Sequence, residues 1–395
     1  MVSDTGLGAR VRARREKFGW SEQKLANVTG LSKMQIHRIE TGVRKKVSAG
    51  ELAVLREALD LPLEDLVGGA RRPSLLASLA ARVAGNESSP EFAPALGRAG
   101  QLIDLMDRVS RRSDPHVSPW WTLPTQGREK DRGTLLAQQV RQALGLANAD
   151  PIVDLPIVCE QDFGLAVSLE PLPVGLRGLI VSLASTEGYD PDRALALVDT
   201  SRQEHGAQRF TTAHELAHML FRDFDGQLVK IDVDPGVAPP PATRLMETKA
   251  DAFAAEFLAP LEAVTRMLAD VRDADDRTFL KAVARMAMHF GISWHAAGIR
   301  ASEGDPKHPY QWFKRYPRDR TLNLLDLAGE WSAQPAHEQV EPPPLLLNSA
   351  LTRLGEGTGG VTIFDVASMY RTLDVQALNT ALSESGWLVP DYANA

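Results

Sequence analysis

Apolar positions in the first sixty residues recur every three or four places, the spacing of helices that each bury one face. Leu7 and Val11 share a face of a helix predicted from Leu7 to Phe18, and Gly19 ends it as a residue tolerant of left-handed backbone. Ser21 caps a second helix, Glu22 to Val28, with Leu25 and Val28 inward. Thr29-Gly30-Leu31 is a tight turn. Ser32 opens a third helix with Gln35 three residues on, the spacing of a capping box; Ile36 and Ile39 point inward, and Gly42 closes it. A fourth helix is expected around Gly50 to Ala58, and a short fifth at Leu63-Glu64-Asp65-Leu66. Two short helices joined by a Gly-containing turn are a helix-turn-helix.

Beyond Gly68-Gly69 the pattern loosens. Helices are predicted from Arg71 to Val83 and from Leu96 to Ser110, separated by the breaker Asn86-Glu87-Ser88-Ser89-Pro90. Trp120-Trp121 lies in a proline-flanked stretch that reads as extended or turn-like. A helix returns from Asp131 to Leu146, with Leu135, Leu136, Val140 and Leu144 on its apolar face, and Ile152 to Val158 begins another leading to Cys159. Then the period changes. Leu165 to Leu169, Gly178 to Ser182 and Arg193 to Asp199 are short apolar runs bounded by Gly, Pro and Asp, which predicts three strands. Helical patterns resume over 209–221, 244–260 and 282–299. Past residue 305, Pro306 to Pro317 is aromatic and basic, and Pro342-Pro343-Pro344 marks a break. Leu345 to Leu354 and Ile363 to Leu382 read as helices about a Gly355–Gly360 joint.

The expected organisation is multidomain. An all-α helix-turn-helix domain occupies 1–68 and a helical linker 69–127. An α+β domain at 128–304 has a small sheet backing a chemistry-bearing helix. A mostly helical C-terminal extension at 305–395 has no role fixed by the sequence: it reads first as a packing appendage, with a sensor or oligomerisation element as the alternative.

Charge separates the ends of this plan. Residues 1–50 hold 11 Lys and Arg against 4 Asp and Glu, while the remaining chain holds 33 against 47, so a formal net charge of −7 conceals a basic N-terminal unit on an acidic body. That points to a polyanion partner for the N-terminal unit alone. The single cysteine, Cys159, excludes an internal disulfide framework and any cysteine-built zinc site, so a metal would need His and carboxylate ligands. The N-terminus lacks the apolar run of a signal peptide and no stretch has the apolar length of a bilayer span, so a cytoplasmic location without a membrane partner is expected.

The most informative chemistry lies in Arg209-Phe-Thr-Thr-Ala-His-Glu-Leu-Ala-His218. On a helix His214 and His218, four apart, face the same way and can grip one metal ion, and Glu215 can activate a water bound to it. A catalytic zinc needs a third protein ligand and keeps a position for water. The helix over 244–260 has an apolar set of Leu245, Ala252, Phe253, Phe257 and Leu258, and it offers two carboxylates on one face. Glu247 can complete a His-His-Glu site, and Asp251 can accept the outer N–H of a ligating histidine. Glu256 is a rival third ligand, about half a turn off that face. Tyr189, His205, His289 and His295 are candidates to stabilise an oxyanion, none of them distinguished.

Two resemblances follow from these residues. Leu25-Ala26, Gly30, Ser32, Ile36, Ile39-Glu40, Gly42 and Leu59 with Glu64-Asp65-Leu66 resemble the Xre/Cro repressor family. The resemblance implies that the third helix lies in the major groove of double-stranded DNA, that Lys33, Met34, His37 and Arg38 reach base edges, and that Arg15 and Glu40 form a buried ion pair. Arg44-Lys45-Lys46 are candidates to neutralise phosphates. Arg209-Phe-Thr-x-Ala-His-Glu-x-x-His, followed by Glu247-x-x-Ala-Asp-x-Phe-Ala-Ala-x-Phe-Leu-x-Pro260, resembles the ImmA/IrrE family of bacterial metallopeptidases over about residues 130–300. Asp251 stands where many members have Asn, and Leu-Ala-Pro260 replaces a more usual Leu-Met-Pro.

This second resemblance implies a zincin-like, thermolysin-like fold. His214, His218 and Glu247 would hold zinc or another divalent metal, with Glu215 as general base and Asp251 behind a ligand. It also implies cleavage of an Xre-type repressor in a stress or mobile-element response. The expected protein is therefore a transcription regulator fused to a zinc endopeptidase, with a homodimer as one arrangement. The alternative is a DNA-binding regulator or toxin–antitoxin component whose metal site is structural or inactive.

Overall fold

A computed structural model describes residues 7–44, 47–59, 92–109, 121–182, 193–201, 204–223, 229–233, 241–305, 307–332, 340–356, 361–371 and 375–384. The expected helices at 63–66 and 71–83, the 86–90 break, Lys45, Lys46, Trp120, Tyr189 and most of the glycine joint lie outside them. The chain forms two compact units. One comprises residues 1–88, 96–114 and 346–395, and the other 89–95 and 115–345.

In the first unit, helices α1 (Leu7–Lys17), α2 (Glu22–Thr29), α3 (Lys33–Glu40) and α4 (Ala49–Leu59) enclose Val11, Leu25, Ala26, Ile36, Ile39, Leu55 and Leu59. The caps are the ones the sequence predicts. Ser21 Oγ accepts from Lys24 N, and Ser32 and Gln35 exchange side-chain-to-backbone bonds at 3.2 and 2.8 Å. Gly30 turns the chain between α2 and α3 at φ 69°, a conformation other residues rarely adopt. Arg15 forks onto Glu40 with Nε and Nη2 at 2.6 and 2.7 Å from the two carboxylate oxygens, and its Nη1 donates to the Trp20 carbonyl.

The same unit recruits chain from far downstream. Helices α5 (Ala93–Val109), α16 (Pro344–Glu356), α17 (Ile363–Met369) and α18 (Val375–Glu384) supply it. Phe364 meets Phe18 edge-on at 4.6 Å, and the Arg14 guanidinium lies 3.9 Å from the Phe364 ring centre. Arg108 pairs with both oxygens of Asp365, and Arg98 donates to the carbonyls of Ser368 and Met369 at the end of α17. The continuous helix expected over 363–382 is interrupted: α17 ends at Met369, and Arg371 takes a left-handed conformation, φ 52°.

The second unit is built on a sheet of β1 (Leu165–Glu170), β2 (Leu176–Ser182), β3 (Ala194–Asp199) and β4 (Val229–Val233), in the order β1-β3-β2-β4. β1 runs parallel to β3, with Leu165 opposite Ala194, and β2 runs antiparallel to both β3 and β4. β1 and β3 are buried at every position, as their unbroken apolar runs require. β4 is an addition to the three expected strands; Val-Lys-Ile-Asp-Val is five residues long and gains its strand form by pairing with β2. Glu341 forms an isolated antiparallel bridge with Leu169 of β1.

Around the sheet lie α6 (Glu129–Ala143), α7 (Leu155–Phe163), α8 (His205–Phe221), α9 (Pro241–Leu258), α10 (Leu261–Met267), α11 (Asp276–Phe290), α12 (Trp294–Gly304), α13 (Tyr310–Phe313), α14 (Arg318–Leu324) and α15 (Ala328–Ser332). Their shared core includes Val140, Phe163, Val167, Ile180, Leu216, Leu220, Phe253, Phe257, Phe279 and Phe290. Two residues expected on apolar faces are instead exposed, Leu135 and Leu245. The aromatic stretch after residue 305 joins this core. His308 stacks on Phe279 at 4.0 Å, and Trp294 Nε1 donates to the Tyr316 carbonyl. Among the described residues no helix is long and apolar enough to cross a membrane.

The buried Arg15–Glu40 pair sets a stability test. Arg15→Met strands the Glu40 carboxylate in the α1–α4 core, and chemical unfolding is expected to register a loss of about 3–5 kcal/mol in the first unit. An unchanged unfolding midpoint would show that water reaches Glu40.

Candidate metal centre and DNA-binding helix

Helix α8 is buried along almost its whole length, so its polar side chains need partners inside the protein. His214 and His218 lie one turn apart and are 4 % and 1 % exposed. Their Nε2 atoms point toward one another, 3.0 Å apart. Glu247, from α9, completes the group: its Oε2 is 3.0 Å from His214 Nε2 and 3.7 Å from His218 Nε2. Among the described residues these three are the cluster whose donor atoms could hold one metal ion.

The spacing suits zinc. Two donors at tetrahedral positions about 2.1 Å from a common centre lie about 3.4 Å apart, and the three separations straddle that value. The donor set, two imidazoles and a carboxylate, is also one zinc accepts. Burial pushes the Glu247 carboxyl toward its neutral form, but the neighbouring His214 and His218 outweigh it and hold the group well below the usual carboxylate range.

Each imidazole is held from behind. His214 Nδ1 donates to Asp251 Oδ1 at 3.0 Å, as the four-residue spacing of Glu247 and Asp251 predicts. His218 Nδ1 donates to Asp223 Oδ2 at 3.2 Å. Asp223 was not singled out from the sequence; the one available signal is a carboxylate five residues past the second histidine, just beyond the helix end. Glu215 is 1 % exposed and lies against β2, where a side-chain carbon at Gly178 would come within 2.8 Å of its Oε1. Gly178 thus makes room for the carboxylate.

The rival ligand faces elsewhere. Glu256 accepts from Gln138, from the Leu261 amide and from Arg300, and this buried pair joins α9 to α12. Arg209, the first residue of the motif, donates to the carbonyls of Ile152 and Val153, and burial pushes its guanidinium down to about 10. Of the oxyanion candidates, His289 donates to the Ala149 carbonyl, and His295 shares a 2.6 Å hydrogen bond with the Tyr310 hydroxyl. His205 lines a cavity of about 290 Å³ with Gln208, Arg209 and Thr212.

In the first unit, Lys33, Met34, His37 and Arg38 all lie on the exposed side of α3, while Ile36, Ile39 and Glu40 are buried. Met34 is 66 % exposed, so it is not a core methionine. His37 Nδ1 meets Glu22 Oε1 at 3.0 Å, tying the helix to α2. Arg44 pairs with Glu51 at 2.7 Å, which closes the turn into α4.

A buried two-histidine, one-carboxylate group on paired helices over a small sheet, in a chain that opens with a helix-turn-helix, defines a metallopeptidase-like protein with a DNA-binding domain. The comparison with known families is more particular. Residues 186–302 match the IrrE N-terminal-like domain of the M78 peptidases, and residues 6–67 match a helix-turn-helix domain. Both resemblances carried by the motifs are therefore borne out on the segments that hold them. No curated protein matches the chain.

The geometry separates the candidate ligands from the scaffold. His214→Ala and Glu247→Gln are each expected to abolish stoichiometric zinc binding, read by metal analysis after gel filtration. Glu256→Gln is expected to keep its zinc while losing up to about 3 kcal/mol of stability, because the buried Arg300 is then left with Glu303 as its partner carboxylate. Zinc lost from Glu256→Gln and retained by Glu247→Gln would reverse the assignment.

Proposed function

We propose that this protein is a DNA-binding regulator that carries a zinc endopeptidase and cleaves a repressor-type protein in a stress or mobile-element response. The observation that carries the reading is the meeting of His214, His218 and Glu247 at tetrahedral spacing, with Glu215 next in sequence to the first ligand. Three donors among the described residues, where a structural zinc site uses four, leave a coordination position for water.

Zinc bound there would lower the pKa of that water and polarise a peptide carbonyl. The chain's own residues supply the rest. Asp251 fixes the His214 ring through Nδ1, which keeps Nε2 as the donor nitrogen. Glu215 is a general base whose carboxylate takes the proton of the attacking water and returns it to the leaving amine. Its buried place against Gly178 keeps bulk water from competing for that proton.

The substrate follows from what the same chain carries. A helix-turn-helix unit brings the peptidase to DNA, where a DNA-bound repressor of Xre type is the local protein. Lys33 and Arg38 reach phosphate or guanine edges and Met34 a thymine methyl, with His37 beside them. A homodimer would present two such helices to the half-sites of a palindromic operator.

Two measurements test the reading. When the wild-type protein and Glu215→Gln are each co-expressed with repressors encoded nearby, the wild type is expected to yield a cleaved band. Glu215→Gln, loaded with the same zinc, is expected to yield none; cleavage by both would sink the proteolytic reading. For DNA, Lys33→Ala and Arg38→Ala are each expected to weaken binding, and loss of a phosphate contact should flatten the slope of log K against log salt by about 0.9. Unchanged affinity and slope in both variants would remove α3 from the interface.

A further inference from the structure

One carboxylate just past the end of α8 engages both helices of the candidate metal centre. The chain leaves α8 through Arg222, whose left-handed backbone (φ 56°) turns Asp223 back so that its amide donates to the His218 carbonyl at 3.0 Å. The two oxygens of Asp223 then serve different helices. Oδ2 accepts from His218 Nδ1 at 3.2 Å, and Oδ1 accepts from Lys249 Nζ at 2.7 Å. Lys249 lies on α9 midway between Glu247 and Asp251, and its ammonium sits 4.2 Å from the Phe221 ring centre. Both side chains are buried, at 6 % and 7 % exposure, a costly place for a lysine whose only purpose is solubility.

We infer that Asp223 and Lys249 are positioning residues of the metal centre. The inference rests on the metal reading proposed above. Asp223 holds His218 in the tautomer whose Nε2 lone pair faces His214 Nε2 and Glu247, because its carboxylate can only accept at Nδ1. Lys249 fixes the other oxygen of that carboxylate, so Asp223 cannot rotate away from the ring. The same bond ties α9 to the end of α8 and sets where Glu247 stands relative to the two histidines. His214 is held by Asp251 from α9, and His218 is held by Asp223, which α9 in turn holds through Lys249. Both rings therefore take their orientation from the helix that carries the third ligand.

The buried Arg300–Glu256 pair is an internal control: it also anchors α9, but by way of the Ala259 carbonyl and the Leu261 amide and without a histidine. The test uses the full-length protein. Zinc affinity is measured by competition with a chromophoric chelator, the visible absorption of the cobalt-substituted form is recorded, and thermal melts of the metal-free protein track folding. Lys249→Met is expected to bind zinc about ten- to hundredfold more weakly and to change the cobalt spectrum. Asp223→Asn preserves shape and is expected to do the same, and it carries the test if Lys249→Met does not fold. Glu256→Gln, of comparably reduced stability, is expected to bind zinc as the wild type does. If folded Lys249→Met and Asp223→Asn keep the wild-type affinity and cobalt spectrum, the pair is only a structural ion pair and the inference falls. A wild-type protein that holds no stoichiometric zinc, or keeps it in His214→Ala, overturns the metal reading itself.

Discussion

An imidazole has two ring nitrogens, and a nonpolar interior tolerates neither of them unclaimed. Placing His214 and His218 on a helix that is buried on nearly every side therefore commits the surrounding structure. Each ring must find a carboxylate behind it, and the two inward-facing nitrogens, then acceptors only, would be satisfied together by a cation held with a third ligand. Those needs explain why α9 lies along α8 with Glu247 and Asp251 facing it, and why the chain turns sharply at Arg222 to return Asp223. They also explain the weight of anchoring at the far end of α9. Arg141 donates to the Phe257 carbonyl, and Arg300 donates to the Ala259 carbonyl while pairing with Glu256. A helix that must present a carboxylate to within a few tenths of an ångström has little freedom to slide, and two buried guanidiniums hold its end.

Much of this was legible in the chain, for a physical reason. Histidines four apart and carboxylates four apart are local facts, because helical geometry alone sets which of them share a face. The same holds for the caps at Ser21 and Ser32, whose partners lie three residues away. What escaped was decided by tertiary contact. Asp223 belongs to no periodic pattern and finds His218 through a backbone turn whose left-handed residue is an arginine, not the glycine that would have marked it. Strand β4 depends on pairing with β2, and its own five residues do not announce it. Leu245 and Leu135 satisfied an apolar stripe on paper, but the neighbouring elements cover other parts of their helices. The aromatic cluster after residue 305 was visible as composition, whereas its role as packing against Phe279 and Trp294 required the fold.

The two chemistries rest on different kinds of support. The outer side of α3 is an exposed surface whose residues owe their position to the Arg15–Glu40 pair and the small core beneath them. The candidate metal centre is a buried constellation whose residues hold one another. Substitutions on the exposed side of α3 should leave its fold intact, whereas substitutions around His218 propagate through shared partners. Comparisons of variants between the two units should allow for that difference.

The first unit is assembled from three separate stretches of chain, and the last of them brings Asp365 to Arg108, 257 residues earlier, and Phe364 to Phe18, 346 residues earlier. On a ribosome, the N-terminal helices emerge long before their closing partners exist. The whole of the second unit is synthesised in the interval and can fold as it emerges. The helix-turn-helix unit thus reaches its finished form only after the second unit has been made, an order of events written into the topology of the chain.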